Sequence, residues 1–265
     1  MRRILYYLKL YKAFVKNTLT RETDYRANFI ADLLDSVFSF SVSIIFFEAI
    51  YLNVTYISGW SKLETLLLVG TTQLITSIIY LLFMNNLPRI QNYVLKGDFD
   101  YIMLKPCDEQ FYVSFRYFYF GGISSIILSI ILITYIMFKL QVVLGIVKII
   151  GYILFIISGI CICYSMWLMI MTTSIVFIKI GQLHELFLSL IKFIEYPGSI
   201  YKGALKYAFM FVIPFITISN VPVNYILSKT TLLNSIYTFF VAAIFLLISR
   251  MFWKKSLMWY QSASS

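Results

Sequence analysis

The sequence holds few of the residues that build catalytic and metal sites. Its 265 residues include one histidine and three cysteines, and only 13% are charged, whereas about a quarter of the residues in ordinary soluble domains are charged. Cys161 and Cys163 form a C-x-C inside an apolar run without a second pair elsewhere, so we predict neither a metal site nor a disulfide. No residue is assigned a catalytic role, and too few polar residues remain to cover a water-exposed surface.

A phosphate-binding loop is also missing. None of the 11 glycines stands in a G-x-x-x-x-G-K-[ST] pattern, whose main-chain amides would cradle nucleotide phosphates. We therefore expect this chain to bind no cofactor and to be a non-enzyme. The net charge of +10 is spread between apolar blocks rather than gathered in one basic domain, so the expected partner is anionic lipid and not nucleic acid.

Apolar runs of membrane-spanning length are what the sequence has in abundance. Hydrophobic residues make up 60% of the chain, and a helix needs roughly 20 of them to cross a bilayer. We predict one all-α membrane domain over 1–265 with six transmembrane helices, at about 36–52, 66–87, 117–138, 146–172, 207–227 and 232–252. Pro214 and Pro222 interrupt the fifth helix, so a kink, a re-entrant turn or an outer hairpin is expected in 207–231.

The lysines and arginines predict the orientation. Eighteen of the 22 fall in four segments that the six helices would place on one side, namely 1–26, 85–116, 173–206 and the C-terminal tail. Only four fall on the other side: Lys62, Lys139, Lys148 and Lys229. Because cytoplasmic segments are enriched in these residues, we expect both termini in the cytoplasm and 173–206 to be a second cytoplasmic segment.

Residues 1–31 precede the first span and have their own pattern. Apolar side chains recur there at helical spacing while the lysines fall largely on other faces: Ile4, Leu8, Tyr11 and Val15 against Lys9, Lys12 and Lys16. This pattern is typical of an amphipathic helix in the membrane interface. An ordinary basic anchor beside the membrane fits the same residues equally well.

Acidic residues flank the first span. Asp35 stands at its inner end, one turn after Asp32, and Glu48 stands near its outer end. An ionisable group at membrane depth is a candidate functional site. Carboxylates at the ends of a span can also be solvated or paired with a basic residue, and we expect this role more than a proton relay.

The segment after the second span mixes apolar and charged residues within a few positions. Tyr101, Ile102 and Leu104 stand beside Asp98, Asp100 and Lys105. Such a mixture suits a short helix with an apolar face and a charged rim that docks on a soluble partner. A solvated loop is the alternative for an arbitrary membrane protein.

Three stretches together resemble a known family, the permease subunits of ABC-2 type ATP-binding cassette exporters. Residues 97–106, GDFDYIMLKP, resemble the family pattern G-x-L-D-x-x-L-x-(R/K)-P, with Phe99 in place of leucine. Residues 196–201, YPGSIY, and the later Pro214 and Asn220-Val221-Pro222-Val223 are similar to its second motif. Residues 253–265 resemble its tail, W-x-x-G-L-x-x-Y-x-S-A-(G/S)-S, with Ser256 in place of glycine.

The resemblance implies a function and partners. It implies a permease that pairs with a second, identical or homologous permease chain and sits on two ATPase subunits, which bind ATP and magnesium. It implies export of a hydrophobic or amphipathic compound, such as a drug, peptide antibiotic or natural product, across the cytoplasmic membrane of a bacterium. It also implies that the ATPases contact a coupling helix within 85–116, formed by Gly97, Asp98, Asp100, Tyr101, Leu104, Lys105 and Pro106. The second motif contributes Pro197, Pro214, Asn220 and Pro222.

Two other classes of protein stay open. An ATP-independent channel or membrane scaffold would need no docking helix, so charge reversal at Asp98 and Asp100 would leave its function intact. An intramembrane enzyme would need a nucleophile beside a base at depth, and Cys161, Cys163 and Ser165 have no basic neighbour in the sequence. The residues that contact the cargo are not assigned.

Overall fold

The chain folds as an all-α protein. A computed structural model describes residues 2–24, 26–143, 145–177 and 182–260, with backbone alone at 2, 22–24 and 26–29, and it is 81% helical. The helices are α1 (Arg2–Asp24), α2 (Arg26–Tyr51), α3 (Lys62–Phe83), α4 (Arg89–Lys96), α5 (Phe99–Met103), α6 (Glu109–Phe115), α7 (Ile123–Lys139), α8 (Ile146–Val176), α9 (Leu183–Ile191), α10 (Gly203–Tyr207), α11 (Phe215–Ile226) and α12 (Leu232–Met258). Strands β1 (Tyr56–Ile57) and β2 (Trp60–Ser61) form one antiparallel hairpin.

Five of these helices are long and apolar enough to cross a membrane, which confirms an all-α membrane protein. The crossing segments are Ile30–Tyr51, α3, Phe120–Lys139, α8 and α12. A capping box fixes the start of α3. The Ser61 hydroxyl accepts from the Glu64 amide, and the Glu64 carboxylate accepts from the Ser61 amide. The helix therefore begins a turn earlier than hydropathy alone predicts.

Helix α3 forms the centre of the bundle, packed against α2, α7, α8 and α11. Its residues 65–72 are all buried, including Thr65, Thr71 and Thr72. A small residue also permits the close contact between α8 and α11, because a Cβ on Gly159 would lie 2.8 Å from the Ile218 carbonyl oxygen. Close backbone approach at small residues is the usual basis of helix packing in membranes, where lipid gives no hydrophobic drive for helices to associate.

Contacts at the helix ends define two ends of the bundle. The β1–β2 hairpin and the start of α3 lie at one end with the segment before α12, because Lys229 pairs with Glu64 at 2.7 Å. The start of α8 lies there too, with Lys148 donating to the Ser228 hydroxyl at 2.8 Å. We call this the outer end. The opposite, inner end carries α4, α5 and α6.

The structure corrects the predicted cytoplasmic placement of the whole segment 173–206. Phe187 in α9 stacks on Trp167 in the inner half of α8 at 4.5 Å. Farther along, Ser199 donates to the carbonyl oxygen of Ser58 in the outer hairpin at 2.9 Å. Residues 183–200 therefore run from the inner part of the bundle to its outer end, and we infer that they are the fifth crossing.

The predicted fifth span is a bent pair of helices. The axes of Gly203–Val212 and Phe215–Ile226 differ by 83°, and the break falls at Pro214, where a ring replaces a main-chain donor. The pair begins just after Ser199 and ends just before Lys229, both of which lie at the outer end. Of the three alternatives predicted for 207–231, the structure therefore favours the re-entrant turn.

This correction keeps an even number of crossings. Lys202 and Lys206 now fall on the outer side and Lys192 falls within a crossing, so the lysine and arginine count becomes fifteen inside and six outside. The excess still indicates cytoplasmic termini.

Candidate functional site

The predicted coupling segment forms a short helix with two different faces. Gly97 ends α4 in a left-handed conformation, φ +73°, which favours glycine because other residues place Cβ against the backbone there. In the following α5, Phe99 and Ile102 are buried, whereas Tyr101 is 70% exposed and Leu104 is 82% exposed. Of the three predicted apolar residues, Tyr101 and Leu104 therefore lie on the exposed face, whereas Ile102 lies on the opposite, inward face.

The inward face of α5 is held by the C-terminal motif. The Phe99 ring lies 6.0 Å from the Trp253 ring and 5.2 Å from the Tyr260 ring. Two of the three family-like stretches therefore meet in space, and phenylalanine in place of leucine adds a third ring to this cluster. Burial, and then the nearby Asp100 carboxylate, raise the pKa of Tyr260. The tail residues 261–265 lie outside the described residues.

A charged pair joins the same segment to α12. The Arg250 guanidinium donates both to Asp108 Oδ1, at 3.0 Å, and to Asp108 Oδ2, and one of its nitrogens also reaches Gln110 Oε1 at 2.7 Å. Burial opposes ionisation of Asp108, but the hydrogen bonds from Arg250 and from the Phe111 amide outweigh it and lower the pKa of this carboxyl. A bidentate pair of this kind fixes orientation as well as distance.

Helix α1 grips the segment from the other side. The Tyr6 hydroxyl donates to the Pro106 carbonyl at 3.2 Å, and the Tyr7 hydroxyl accepts from the Asp108 amide at 3.0 Å. The Tyr7 and Phe111 rings lie 4.8 Å apart. The region predicted as an interfacial elbow thus forms one 23-residue helix, and it packs along the coupling segment.

The other predicted coupling residues lie at the rim of this unit. Asp98 is exposed and Asp100 is half-buried. The Lys105 ammonium lies 5.3 Å from the centroid of the Tyr112 ring, and Pro106 is exposed. All seven predicted coupling residues therefore lie in one short stretch at the inner end, with Tyr101 and Leu104 as its exposed apolar tip.

The two parts of the second motif contact each other in the outer half of the bundle. Asn220 Oδ1 accepts from the Gly198 amide at 2.7 Å, and its amide nitrogen donates to the Tyr196 carbonyl at 3.4 Å. A Cβ on Gly198 would lie 2.6 Å from Ile216 Cγ2. Pro197, Pro214 and Pro222 are buried beside these residues. The motif therefore fixes the fifth crossing against the re-entrant pair.

The two acidic candidates lie in different surroundings. Glu48 pairs with Lys62 at 2.5 Å at the outer end, with both side chains substantially exposed, which favours a paired carboxylate over a proton relay. Asp35 is exposed and lines a cleft of about 540 Å³ between α2, α3 and the fifth crossing.

This side cleft joins polar and aromatic residues within the crossing segments. Gln73 Nε2 donates to the Ser43 hydroxyl at 3.0 Å and to Glu195 Oε1 at 3.4 Å. Phe38, Phe46 and Tyr80 line the same cleft. Within the described part of the chain, no three His, Cys, Asp or Glu side chains are grouped as metal ligands.

Several of these residues were missed by sequence reasoning. Asp108 and Arg250 are 142 positions apart, so no local pattern joins them. Asp108 alone carried a signal, because an aspartate three residues before the amide that it caps is typical of a helix start. A search for charged residues within the predicted spans finds neither Gln73 nor Glu195. Gln73 is uncharged, and Glu195 lies outside the predicted spans.

Comparison with known families agrees with this geometry. Residues 37–264 match the family described as ABC-2 family transporter protein. No curated protein and no solved structure shows significant similarity to the chain. The match covers the predicted coupling segment and the motifs that meet in space. The chain therefore belongs to the ABC-2 transporter family, as the membrane-spanning permease of an ATP-binding cassette transporter.

Proposed function

We propose that the chain is the permease of an exporter that moves a hydrophobic or amphipathic compound outward, driven by two separate ATPase subunits. The observation that carries the proposal is the two-faced α5 helix. Its exposed face presents Tyr101 and Leu104 to a partner, and its inward face is anchored by Phe99. An aromatic and an aliphatic side chain surrounded by charges is a typical composition for the centre of a protein interface.

The anchoring supports a mechanical role for α5. A loosely held loop would absorb a push locally. In contrast, α5 is joined to α12 through the Phe99 and Trp253 rings, and α6 is joined to α12 through Asp108 and Arg250. Movement of an ATPase that grips α5 would therefore move the inner end of α12 with it. Such rigid-body movement is one established way of switching between arrangements of a helix bundle.

The side cleft supports contact with the cargo and with a second permease chain. Its walls combine Phe38 and Phe46 with Gln73 and Glu195, a mixture that suits an amphipathic molecule. Helix α2, which lines one wall, leaves large apolar side chains uncovered, including Phe38 and Ile45. A second permease, identical or homologous, that packs on α2 would enclose the cleft between the two chains in the cytoplasmic membrane.

ATP hydrolysis by a reconstituted complex tests the proposal. The chain is co-expressed with a candidate ATPase, placed in nanodiscs, and compared with the double variant Tyr101→Ala/Leu104→Ala. We expect the double variant to fold normally and to lose most of the associated ATPase and of the hydrolysis that depends on the permease. The matched control is Met258→Ala, since Met258 is also a large exposed apolar residue at the inner end.

The same experiment separates the exporter from its main rival. An ATP-independent channel or scaffold would keep its behaviour in Tyr101→Ala/Leu104→Ala and in Asp98→Lys. Association that is equally strong with the wild type and with these variants would exclude α5 as the docking helix. A Met258→Ala variant as defective as the double variant would show that any loss of exposed apolar surface has this effect.

A further inference from the structure

Three arginines converge on one tyrosine ring at the inner end. The guanidinium carbons of Arg89, Arg116 and Arg21 lie 4.4, 5.2 and 5.2 Å from the centroid of Tyr117. The positive charges of Arg89 and Arg116 lie within about one Debye length of each other, roughly 10 Å at 0.1 M salt, so they repel. Contact with the ring face offsets part of this cost, and a bound anion would offset more.

The cluster is rigidly built. Asn86 accepts from the Tyr117 amide at 2.9 Å and donates to the Tyr117 carbonyl at 2.6 Å, and Asn86 itself is buried. Tyr117 is thereby fixed to the end of α3. Arg89 and Arg116 stand where the chain leaves α3 and where it returns towards the span that begins at Phe120, which is the depth of lipid headgroups at the inner face.

The cluster borders an open cavity of about 240 Å³ between α1 and α6. Arg21, Arg116 and Tyr117 line it together with the polar side chains of Asn17 and Thr18. Among the side chains that the structure describes, no carboxylate lies within ion-pair distance of Arg89 or Arg116. The cavity thus has charged and polar donors on its walls, which suits the oxygens of a phosphate group.

An apolar cavity follows the same helix towards its N-terminus. It measures about 530 Å³, and Ile4, Leu8, Tyr11 and Phe115 are among its lining residues. Phe14 stands between the two cavities on α1 and packs on Tyr112 at 5.9 Å. One face of α1 therefore offers a place for an anionic head and, beside it, a place for a hydrocarbon chain.

We propose that Arg116 and Tyr117 in this cavity, with Arg89 beside the same tyrosine ring, bind the phosphate of an anionic phospholipid headgroup at the inner face, with an acyl chain of that lipid along α1. Planar guanidinium groups suit phosphate because they can donate two parallel hydrogen bonds. The apolar cavity favours a lipid over a free phosphate as the source of the anion. This site is separate from the proposed ATPase docking at α5 and does not depend on it.

Lipid titration of the purified full-length chain tests the site. The chain in dodecyl maltoside micelles is titrated with dioleoyl phosphatidylglycerol, dioleoyl phosphatidylcholine or inorganic phosphate, and bound molecules are counted by native mass spectrometry. The test variant is Arg89→Gln/Arg116→Gln. The control is Lys254→Gln/Lys255→Gln, which removes the same charge from two exposed residues near the same end. We expect the test variant to bind phosphatidylglycerol roughly tenfold or more weakly, and the control to stay within about twofold.

Each outcome decides the proposal. An equal loss in the control would show that net charge alone attracts the lipid, and unchanged affinity in the test variant would exclude the site. Displacement of the lipid by inorganic phosphate, with binding of phosphate alone, would assign the anion to the cytosol and overturn the lipid source. If the test variant is not monodisperse on gel filtration, Arg89→Lys/Arg116→Lys replaces it, and we then expect weaker binding at unchanged charge because lysine cannot form the bidentate contact.

Discussion

The inner and outer ends of the bundle are held together in different ways. At the inner end, rings and a bidentate ion pair join α5 and α6 to α1 and α12, the first and last helices of the chain. At the outer end, single polar contacts dominate. Asn220 accepts from the Gly198 amide, Ser199 donates to a hairpin carbonyl, and exposed ion pairs such as Glu48 with Lys62 join the helix ends.

This contrast indicates which end of the bundle is suited to transmit force. A platform that receives a partner must resist deformation, and close ring packing with a fixed ion pair provides this resistance. The outer end needs only to hold a re-entrant pair and a hairpin in place. We therefore expect substitutions in the rings around Phe99 and in the Asp108–Arg250 pair to reduce stability more than substitutions at the outer contacts.

The largest effect is expected at Phe99. Phe99→Ala removes a fully buried ring from between Trp253 and Tyr260, and such truncations cost about 3–5 kcal/mol. The free energy of unfolding in mixed dodecyl maltoside and SDS micelles measures it. Phe99→Leu, the residue more usual at this position in the family, is the control and should cost less than about 1.5 kcal/mol. A Phe99→Ala variant as stable as Phe99→Leu would refute the ring cluster as the main anchor.

In the outer half, we expect the largest effect at Asn220. Asn220→Ala leaves the buried Gly198 amide without its acceptor, and an orphaned buried donor costs about 1–3 kcal/mol. Asn224→Ala on the same helix is the control, because Asn224 is only half-buried, and we expect a change within about 0.5 kcal/mol. The same unfolding measurement applies. A loss larger than that of Phe99→Ala would reverse the comparison of the two ends.

The Asp108 pair should give the inner end a dependence on pH. The pKa of Asp108 is lowered from its ordinary value of 3.8, so the folded state binds its proton less readily than the unfolded state. The stabilisation is therefore complete at neutral pH and is lost as the pH falls through the ordinary value towards the lowered one. Asp108→Asn should cost about 1–2 kcal/mol at pH 7 and cost progressively less below about pH 4.

Thermal unfolding followed by intrinsic tryptophan fluorescence measures this dependence, since Trp167 and Trp253 are fully buried and become exposed on unfolding. Wild type and Asp108→Asn should converge in midpoint temperature between pH 7 and pH 3. A constant difference over this range would show that the variant acts through packing and not through the charge of Asp108.

The smallest effect is expected at the exposed outer pair. Lys62 and Glu48 are 46% and 40% exposed, and exposed pairs contribute about 0–1 kcal/mol, less at high salt. Lys62→Ala should therefore change the free energy of unfolding by no more than this amount, and raising the salt concentration should remove the difference. A loss comparable to that of Asp108→Asn would mean that the outer end depends on charge as strongly as the inner end.

Hydropathy and composition are enough to predict the crossings at α2, α3, α7, α8 and α12, because each is a long apolar run. They are not enough to predict the fifth crossing, since His184, Glu185, Lys192 and Glu195 interrupt it and its α-helix has only nine residues. Residues of other helices satisfy some of its polar groups: Gln73 donates to Glu195 Oε1 at 3.4 Å, and Ser219 donates to the Ile194 carbonyl at 2.7 Å. Such compensation comes from residues distant in sequence.

The coupling segment shows the same limit at smaller scale. Its position and its exposed residues Tyr101 and Leu104 follow from the local mixture of apolar and charged residues. The inward direction of Ile102 depends on what packs against α5. Trp253 and Tyr260 supply that packing from the last helix and the residues just after it, and no sequence pattern near α5 reveals them.

The grip of the last helix on α5 has a consequence for biogenesis. Phe99 leaves the ribosome about 160 residues before Tyr260, which at ordinary rates of synthesis is a delay on the order of ten seconds or more. During that interval the inward face of α5 has no rings to pack on. The packing around α5 is therefore complete only after Trp253 and Tyr260 have been made and inserted. In a chain that stops before Trp253, α5 would lack these contacts.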